Sequence, residues 1–98
     1  MELIFEWDRK KAKSNLQKHG IDFDEAQTIF FDPLLYTFRD DFHSDLEDRY
    51  ISLGISSKKR TLLVVHTEVD KSSKEIIIRI ISSRKATKRE REIYEREK

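Results

Sequence analysis

The sequence predicts an α+β fold in which two N-terminal helices pack on a mostly antiparallel sheet that a C-terminal helix follows. Three observations lead to this prediction. Two segments with helix-capping signals precede residue 33, apolar strand-like segments follow between residues 34 and 81, and a charged segment with a capping-box pattern begins at Thr87. A chain of 98 residues can bury one modest core, so we expect a single domain, 1–98.

The two N-terminal helices are bounded by residues with strong positional preferences. Asp8 predicts the N-cap of the first helix, and Gly20 predicts its end, because glycine adopts a positive φ at little cost. Asp22 and Glu25 form a capping-box pattern at the start of the second helix. Asp32-Pro33 ends that helix, since proline disfavours helical geometry in the residue before it.

The strands are predicted from apolar periodicity and from β-branched residues. The expected strands are Leu3–Phe5, Leu34–Phe38, Tyr50–Ile55, Thr61–Val69 and Ile76–Ile81. Short polar turns join the last three strands, which we therefore expect to form an antiparallel meander. The predicted order is β-α-α-β-β-β-β-α, with Arg84 and Lys85 in a turn before the last helix.

Composition excludes several kinds of site. The chain has no cysteine, so it has no disulfide, thiolate zinc site or cysteine nucleophile. No apolar run approaches the ~20 residues of a membrane span, and the N-terminus is too acidic for a signal peptide, which predicts a cytoplasmic protein. Charged residues make up 40% of the chain at a net charge of +1, so any functional field must come from local segregation of charge.

The acidic segment 39–49 is expected to be a solvated loop. Asp41, His43, Asp45 and Glu47 alternate within it, which is a possible pattern for a metal-binding loop. The segment lacks the glycine and the terminal glutamate that a calcium loop requires. We therefore expect no metal and no cofactor.

Candidate catalytic residues lie on the last two strands. His66 and Glu68 are two residues apart and point to the same side, where a carboxylate can orient an imidazole or transfer a proton itself. The alternative for His66 is an ordinary core histidine. Arg79 interrupts a β-branched run, so it either faces a cleft or forms an ion pair with Glu68 or with an acid of the 39–48 loop. Sequence does not fix the strand register, and whether these side chains are neighbours stays open.

Positive charge is concentrated where the C-terminal helix begins. Arg84, Lys85, Lys88 and Arg89 lie at a helix N-terminus, where unpaired backbone N–H groups and the helix dipole favour anions. A phosphate site is expected there. The alternative is a solvated helix held by pairs of opposite charge three and four residues apart.

These residue types suit RNA cleavage without a metal. Such a reaction needs a base for the 2′-OH proton, cations on the phosphate and an acid for the leaving oxygen. Glu68 or His66 can act as base or acid, and Arg79 and Arg84 can hold the phosphate. This mechanism cleaves RNA and spares DNA, because only RNA carries the 2′-OH.

Four segments carry motifs at the spacing of one bacterial family. They are FEWDRKKAKSNLQKHGIDFDEAQTIFFDP (5–33), DRYISLGIS (48–56), LLVVHTE (62–68) and IRIISSRKATKREREIYE (78–95). In these segments the chain resembles the BrnT toxins of type II toxin–antitoxin systems. The combination of WD…KHG with RIIS-x-RKAT is the most specific part of the resemblance.

The resemblance implies a RelE-like fold and an endoribonuclease that inhibits translation and growth. It implies a BrnA-like ribbon-helix-helix antitoxin, and binding of operator DNA only as the toxin–antitoxin complex. The motif positions carried over are Lys18, His19, Arg49, Tyr50, His66, Glu68, Arg79, Arg84 and Lys85.

One position departs from the family pattern. Val69 follows the Thr-Glu pair, where the family often has arginine. If that arginine contacts phosphate, its loss favours an alternative function: a catalytically weak or inactive RNA- or antitoxin-binding module that acts in autoregulation of its operon.

Overall fold

The computed structural model describes residues 1–43 and 47–96, so Asp45 of the acidic segment lies outside the described residues. In chain order, the elements are β1 (Glu2–Glu6), α1 (Arg9–His19), α2 (Phe23–Gln27), a 3-10 helix (Thr28–Phe31), β2 (Tyr36–Arg39), β3 (Arg49–Ile55), β4 (Thr61–Ser72), β5 (Glu75–Lys85) and α3 (Lys88–Arg96). The α+β class is confirmed. Within the described residues, no helix is both long and apolar enough to cross a membrane.

The strands form one mixed sheet in the order β1-β5-β4-β3-β2. Neighbouring strands from β2 to β5 run antiparallel, but β1 lies parallel to β5, with Leu3 opposite Ile76. The prediction of a mostly antiparallel sheet is therefore corrected to a mixed sheet. The first strand finds its partner near the other end of the chain, and no local pattern in the sequence predicts that pairing.

Two element boundaries also differ from the prediction. Strand β5 continues to Lys85, so Arg84 and Lys85 lie in a strand and not in a turn. Arg84 pairs with Leu63 and Lys85 with Leu62, and these backbone bonds to β4 extend the strand beyond its apolar run. The second helix has one α-helical segment of five residues and continues as the 3-10 helix.

The sheet has a different cover on each face. The α2 face is the side packed against α2 and the 3-10 helix, and its core comprises Ile21, Phe23, Ala26, Ile29, Leu62, Val64, Ile78 and Ile80. The α3 face is the opposite side, where Ala86 and Tyr94 pack on Leu53 and Leu63. Tyr94 is buried, and its O–H donates a hydrogen bond of 2.5 Å to the carboxylate of Asp32, which anchors α3.

Helix α1 covers the edge of β5 that β1 leaves unpaired beyond residue 79. The buried Asn15 takes the place of a strand partner: its Nδ2 donates to the carbonyl of Ser83 at 2.8 Å, and its Oδ1 accepts from the Ser83 N–H at 3.0 Å. Nδ2 also donates to the carbonyl of Ile21 at 2.9 Å. A register shift leaves Ile81 as the extra residue of a bulge beside α1. These contacts fix α1 next to the α3 face.

The predicted N-caps at Asp8 and Asp22 and the end of α1 at Gly20 are confirmed, but Glu25 does not complete a capping box with Asp22, because its carboxylate binds Ser56 and Arg60. The Asp8 and Asp22 side chains accept hydrogen bonds from the third residue after each, and Gly20 has a φ of 71°. At α3, the Thr87 N–H donates to Glu90 Oε1 at 2.8 Å and the Glu90 N–H donates to Thr87 Oγ1 at 3.2 Å. This capping box sets the position of Glu90.

Candidate catalytic and RNA-binding groove

An open groove of about 560 Å³ lies on the α3 face beside the N-terminus of α3. Ile51, Leu63 and Val65 form an apolar floor. Its polar wall residues are His19, Asp40, His43, Arg49, Ser82, Arg84 and Glu90. An apolar floor with convergent polar groups is the usual character of a ligand site.

Arg84 is held in the groove by Glu90. Its Nη1 donates to Glu90 Oε1 at 2.7 Å and its Nη2 donates to Oε2 at 3.0 Å. This bidentate pair raises the pKa of Arg84 and lowers the pKa of Glu90. Among the described residues none accepts from Arg84 Nε, so the edge formed by Nε and Nη2 can still hold a phosphate.

Arg49, the first residue of β3, also lines the groove. It lies opposite Thr67, which in turn lies opposite Arg79, so both arginines are on the α3 face. Arg79 is outside the groove lining and has its Nη1 3.7 Å from a carboxylate oxygen of Glu6. Its acidic partner is therefore on β1 and is not Glu68.

His43 and Asp40 form a pair that is absent from the residues predicted from the sequence above. His43 Nδ1 lies 3.0 and 3.3 Å from the two carboxylate oxygens of Asp40, whose own N–H donates to the Arg49 carbonyl. The carboxylate is mostly buried, whereas the imidazole is exposed. A carboxylate on Nδ1 fixes the tautomer and leaves Nε2 available for proton transfer. The Asp-x-x-His spacing directly after a strand is the signal that marks this pair in the sequence.

His66 lies on the other side of the sheet, in the core of the α2 face. Its ring is fully buried between Phe30 and Tyr50, with ring centroids 4.9 and 6.1 Å away. Nε2 lies 2.7 Å from Ser52 Oγ, and Nδ1 lies 3.8 Å from Glu68 Oε1. Burial lowers the pKa of His66 to about 4, so the ring is neutral at pH 7. His66 is thus a neutral histidine in the core, and its Nδ1 has no hydrogen-bond partner among the described residues.

We expect His66 to make the folded state less stable in acid. Below the unfolded pKa of about 6.5 the unfolded chain binds a proton that the folded chain excludes, so stability falls between about pH 6.5 and 4. The free energy of unfolding should fall by about 3 kcal/mol over that pH range because of His66. Urea unfolding at several pH values measures it, and His66→Asn should have a shallower dependence. Equal slopes for the wild-type and variant proteins would contradict this assignment.

The structure thus separates the predicted site residues into groups. His19, Arg49 and Arg84 line the groove, and Lys18 lines an adjoining depression. Residues on the α2 face are Tyr50, His66, Glu68 and Lys85. Lys88 and Arg89 are exposed on the first turn of α3, outside the groove lining. Burial and the nearby Asp70 raise the pKa of Glu68.

Two comparisons with known proteins found a match to this chain. The model of the family described as ribonuclease toxin, BrnT, of type II toxin–antitoxin system matches residues 7–90. The crystal structure of the Brucella abortus ribonuclease toxin BrnT is similar in fold, with a TM-score of 0.64 and 22% identity, covering 90% of this chain and 100% of that chain. No curated protein matches the chain. Because the family model spans most of the sequence, the chain belongs to the BrnT family of ribonuclease toxins of type II toxin–antitoxin systems.

Proposed function

We propose that this chain is a metal-independent endoribonuclease toxin that cleaves RNA in the groove of the α3 face and so inhibits translation and growth. One observation carries the proposal: two arginines and two histidines converge on the same groove. Arg49 and Arg84 supply positive charge for a phosphate, and the imidazoles of His19 and His43 supply a proton acceptor and a proton donor. The apolar floor offers contact for a sugar or a base.

The reaction follows from the positions of these groups. One histidine takes the proton from the 2′-OH, and O2′ attacks the adjacent phosphorus. The bond from phosphorus to O5′ breaks, and the other histidine gives a proton to that oxygen, which leaves a 2′,3′-cyclic phosphate and a 5′-OH. The guanidinium groups hold the charge that develops on the phosphate oxygens.

This proposal moves the proton-transfer roles relative to the sequence-based prediction. His66 and Glu68 stay predicted catalytic residues on sequence grounds. Their place on the α2 face separates them from the arginines of the groove, and the lowered pKa of His66 weakens it as a base. His19 and His43 share the groove with both arginines, which favours them.

The partner is proposed from the family. A toxin of a type II system is neutralised by a protein antitoxin, and we propose a BrnA-like ribbon-helix-helix protein that covers the groove in a cytoplasmic complex. Operator DNA is then bound by the complex and not by the toxin alone. The fold is proposed to be RelE-like, as the resemblance to the family implies.

A second candidate is the binding module without efficient catalysis. Val69 favours it, because its side chain is exposed at 57% on the strand that carries Thr67 of the α3 face. An arginine at this position would add a cation on that face. The module would bind RNA or antitoxin and regulate its operon.

The purified chain should cleave single-stranded RNA in the presence of a chelator and leave the 2′-deoxy oligonucleotide intact. Asp40→Asn should lower the cleavage rate by at least about tenfold, because the His43 imidazole loses its orienting carboxylate. Asp41→Asn, at an exposed acid outside the groove lining, is the matched control. RNA binding without cleavage would support the binding module, and equal cleavage of the deoxy substrate would rule out attack by the 2′-OH.

A further inference from the structure

A second depression, of about 210 Å³, adjoins the groove. Helix α1 and strand β5 form it together, and its lining comprises Lys11, Ser14, Asn15, Lys18, His19, Ile81 and Ser82. Three of these residues, His19, Ile81 and Ser82, also line the groove. The two spaces are therefore continuous across the edge of β5.

The depression is fixed by the contacts that hold α1 in place. Lys11, Ser14 and Lys18 recur at a spacing of three and four residues, so they lie on one side of α1. Asn15 lies on the same side and binds both backbone groups of Ser83. The bulge at Ile81 places a side chain between the depression and the groove. The lysine stems thus start from a rigid frame, not from a loop.

Charge makes the depression suitable for an anion. Two ammonium groups and the Ser14 hydroxyl can donate hydrogen bonds into it, and none of its described lining residues is acidic. The groove differs, because Glu90 neutralises part of the charge of Arg84 there. In the depression, no carboxylate of the described lining residues competes with an anion for the two ammonium groups.

We propose that this depression is a second phosphate site for the RNA strand, one nucleotide step from the phosphate that is cleaved; this rests on the proposed function of the groove. A strand that crosses the β5 edge at Ile81 and Ser82 places one phosphate at Arg49 and Arg84. Its neighbour then reaches Lys11 and Lys18, with His19 between the two sites. The second site holds the backbone and reads no base.

The test compares two pairs of lysines on the same helix. Lys11→Ala/Lys18→Ala removes both ammonium groups from the proposed site. Lys10→Ala/Lys13→Ala, the control variant, removes the same charge from two residues outside the lining of the site. The probe is a single-stranded 2′-O-methyl RNA, which cannot be cleaved. Lys11→Ala/Lys18→Ala should bind the RNA roughly tenfold more weakly than the control variant does. Its plot of log K against log salt should also be less steep than that of the wild-type protein by about 1.4, since each lost phosphate contact on a single strand lowers the slope by about 0.7.

A neutral linkage in the RNA makes the test specific. One phosphate of the probe, next to the phosphate expected at Arg49 and Arg84, is replaced by an uncharged methylphosphonate. This change should weaken RNA binding by the wild-type and control proteins, but it should have little further effect on RNA binding by Lys11→Ala/Lys18→Ala. Equal losses for the two lysine pairs, or full additivity with the neutral linkage, would overturn the second site.

Different results would contradict the second phosphate site and the nuclease activity of the groove. If the wild-type protein cleaves RNA and the two lysine pairs behave alike, only the second site fails. If the lysine pairs differ in binding but the protein does not cleave, the depression still binds an RNA phosphate, whereas the nuclease proposal fails and with it the position of that phosphate beside a cleaved one. If the wild-type protein does not bind the RNA, both fail.

Discussion

Arg84→Ala is expected to lower the rate of RNA cleavage by about 10²- to 10³-fold, because it removes a donor to the charge that develops on the phosphate. The orientation of Arg84 in the groove is fixed by a bidentate contact with Glu90. A positioned guanidinium loses little freedom when it binds a phosphate, so its loss should affect the rate more than substrate binding. Separate values of kcat and KM, measured with a defined RNA oligonucleotide, test this prediction.

Two controls separate this effect from a change in fold or total charge. Arg96→Ala removes an exposed arginine from the other end of α3 and should cleave at the wild-type rate. Thermal unfolding should show a similar Tm for Arg84→Ala, because Glu90 still accepts from the Thr87 N–H. Cleavage by folded Arg84→Ala at the wild-type rate would remove Arg84 from the mechanism.

Glu25→Ala is expected to cause a large loss of stability, about 2 to 3 kcal/mol, because it removes a buried carboxylate and the hydrogen bonds that it accepts from Arg60 and Ser56. Glu25 is 4% exposed. Its carboxylate accepts from Arg60 Nε at 2.8 Å, from Arg60 Nη2 at 2.6 Å and from Ser56 Oγ at 2.6 Å. These bonds fasten the β3–β4 turn to α2. A fall in Tm of at least about 8 °C is expected for a domain of this size.

The dependence on pH identifies the ion pair as the source. The hydrogen bond from Arg60 holds the pKa of Glu25 below its usual value, against the opposing effect of burial. A lowered pKa means that the pair contributes fully above about pH 4.5 and is lost as the pH falls through the folded-state pKa. The variant should lack this acid-sensitive contribution. Asp24→Ala, at the exposed acid next in the chain, is the matched control, and an equal loss of stability from both substitutions would contradict the role of Glu25.

Features of the fold that depend on local chemistry can be predicted from the sequence. Asp8, Asp22 and the Thr87–Glu90 capping box act over three residues, and each is where the pattern places it. The parallel pairing of β1 with β5 and the bulge at Ile81 depend on contacts between distant segments. Neither has a local signal, which is why the mixed character of the sheet could not be predicted.

The same distinction applies to the candidate site. Alternation along β4 predicts that His66 and Glu68 share a face, and they do, but it does not say which face carries the groove. The family motifs include Arg49, Arg84 and His19, which the fold brings together from two strands and the end of a helix. The pair of Asp40 and His43 depends on a turn after β2, inside a segment whose composition predicts only a solvated loop.

RNA is expected to bind in the groove of the α3 face. An NMR titration of the isotopically labelled chain with single-stranded 2′-O-methyl RNA tests this expectation most directly. We predict the largest shifts at His43, Arg49, Ser82 and Arg84, with Tyr50 on the opposite face unchanged. Large shifts at Tyr50 and across the α2 face, with the groove signals unmoved, would contradict the account.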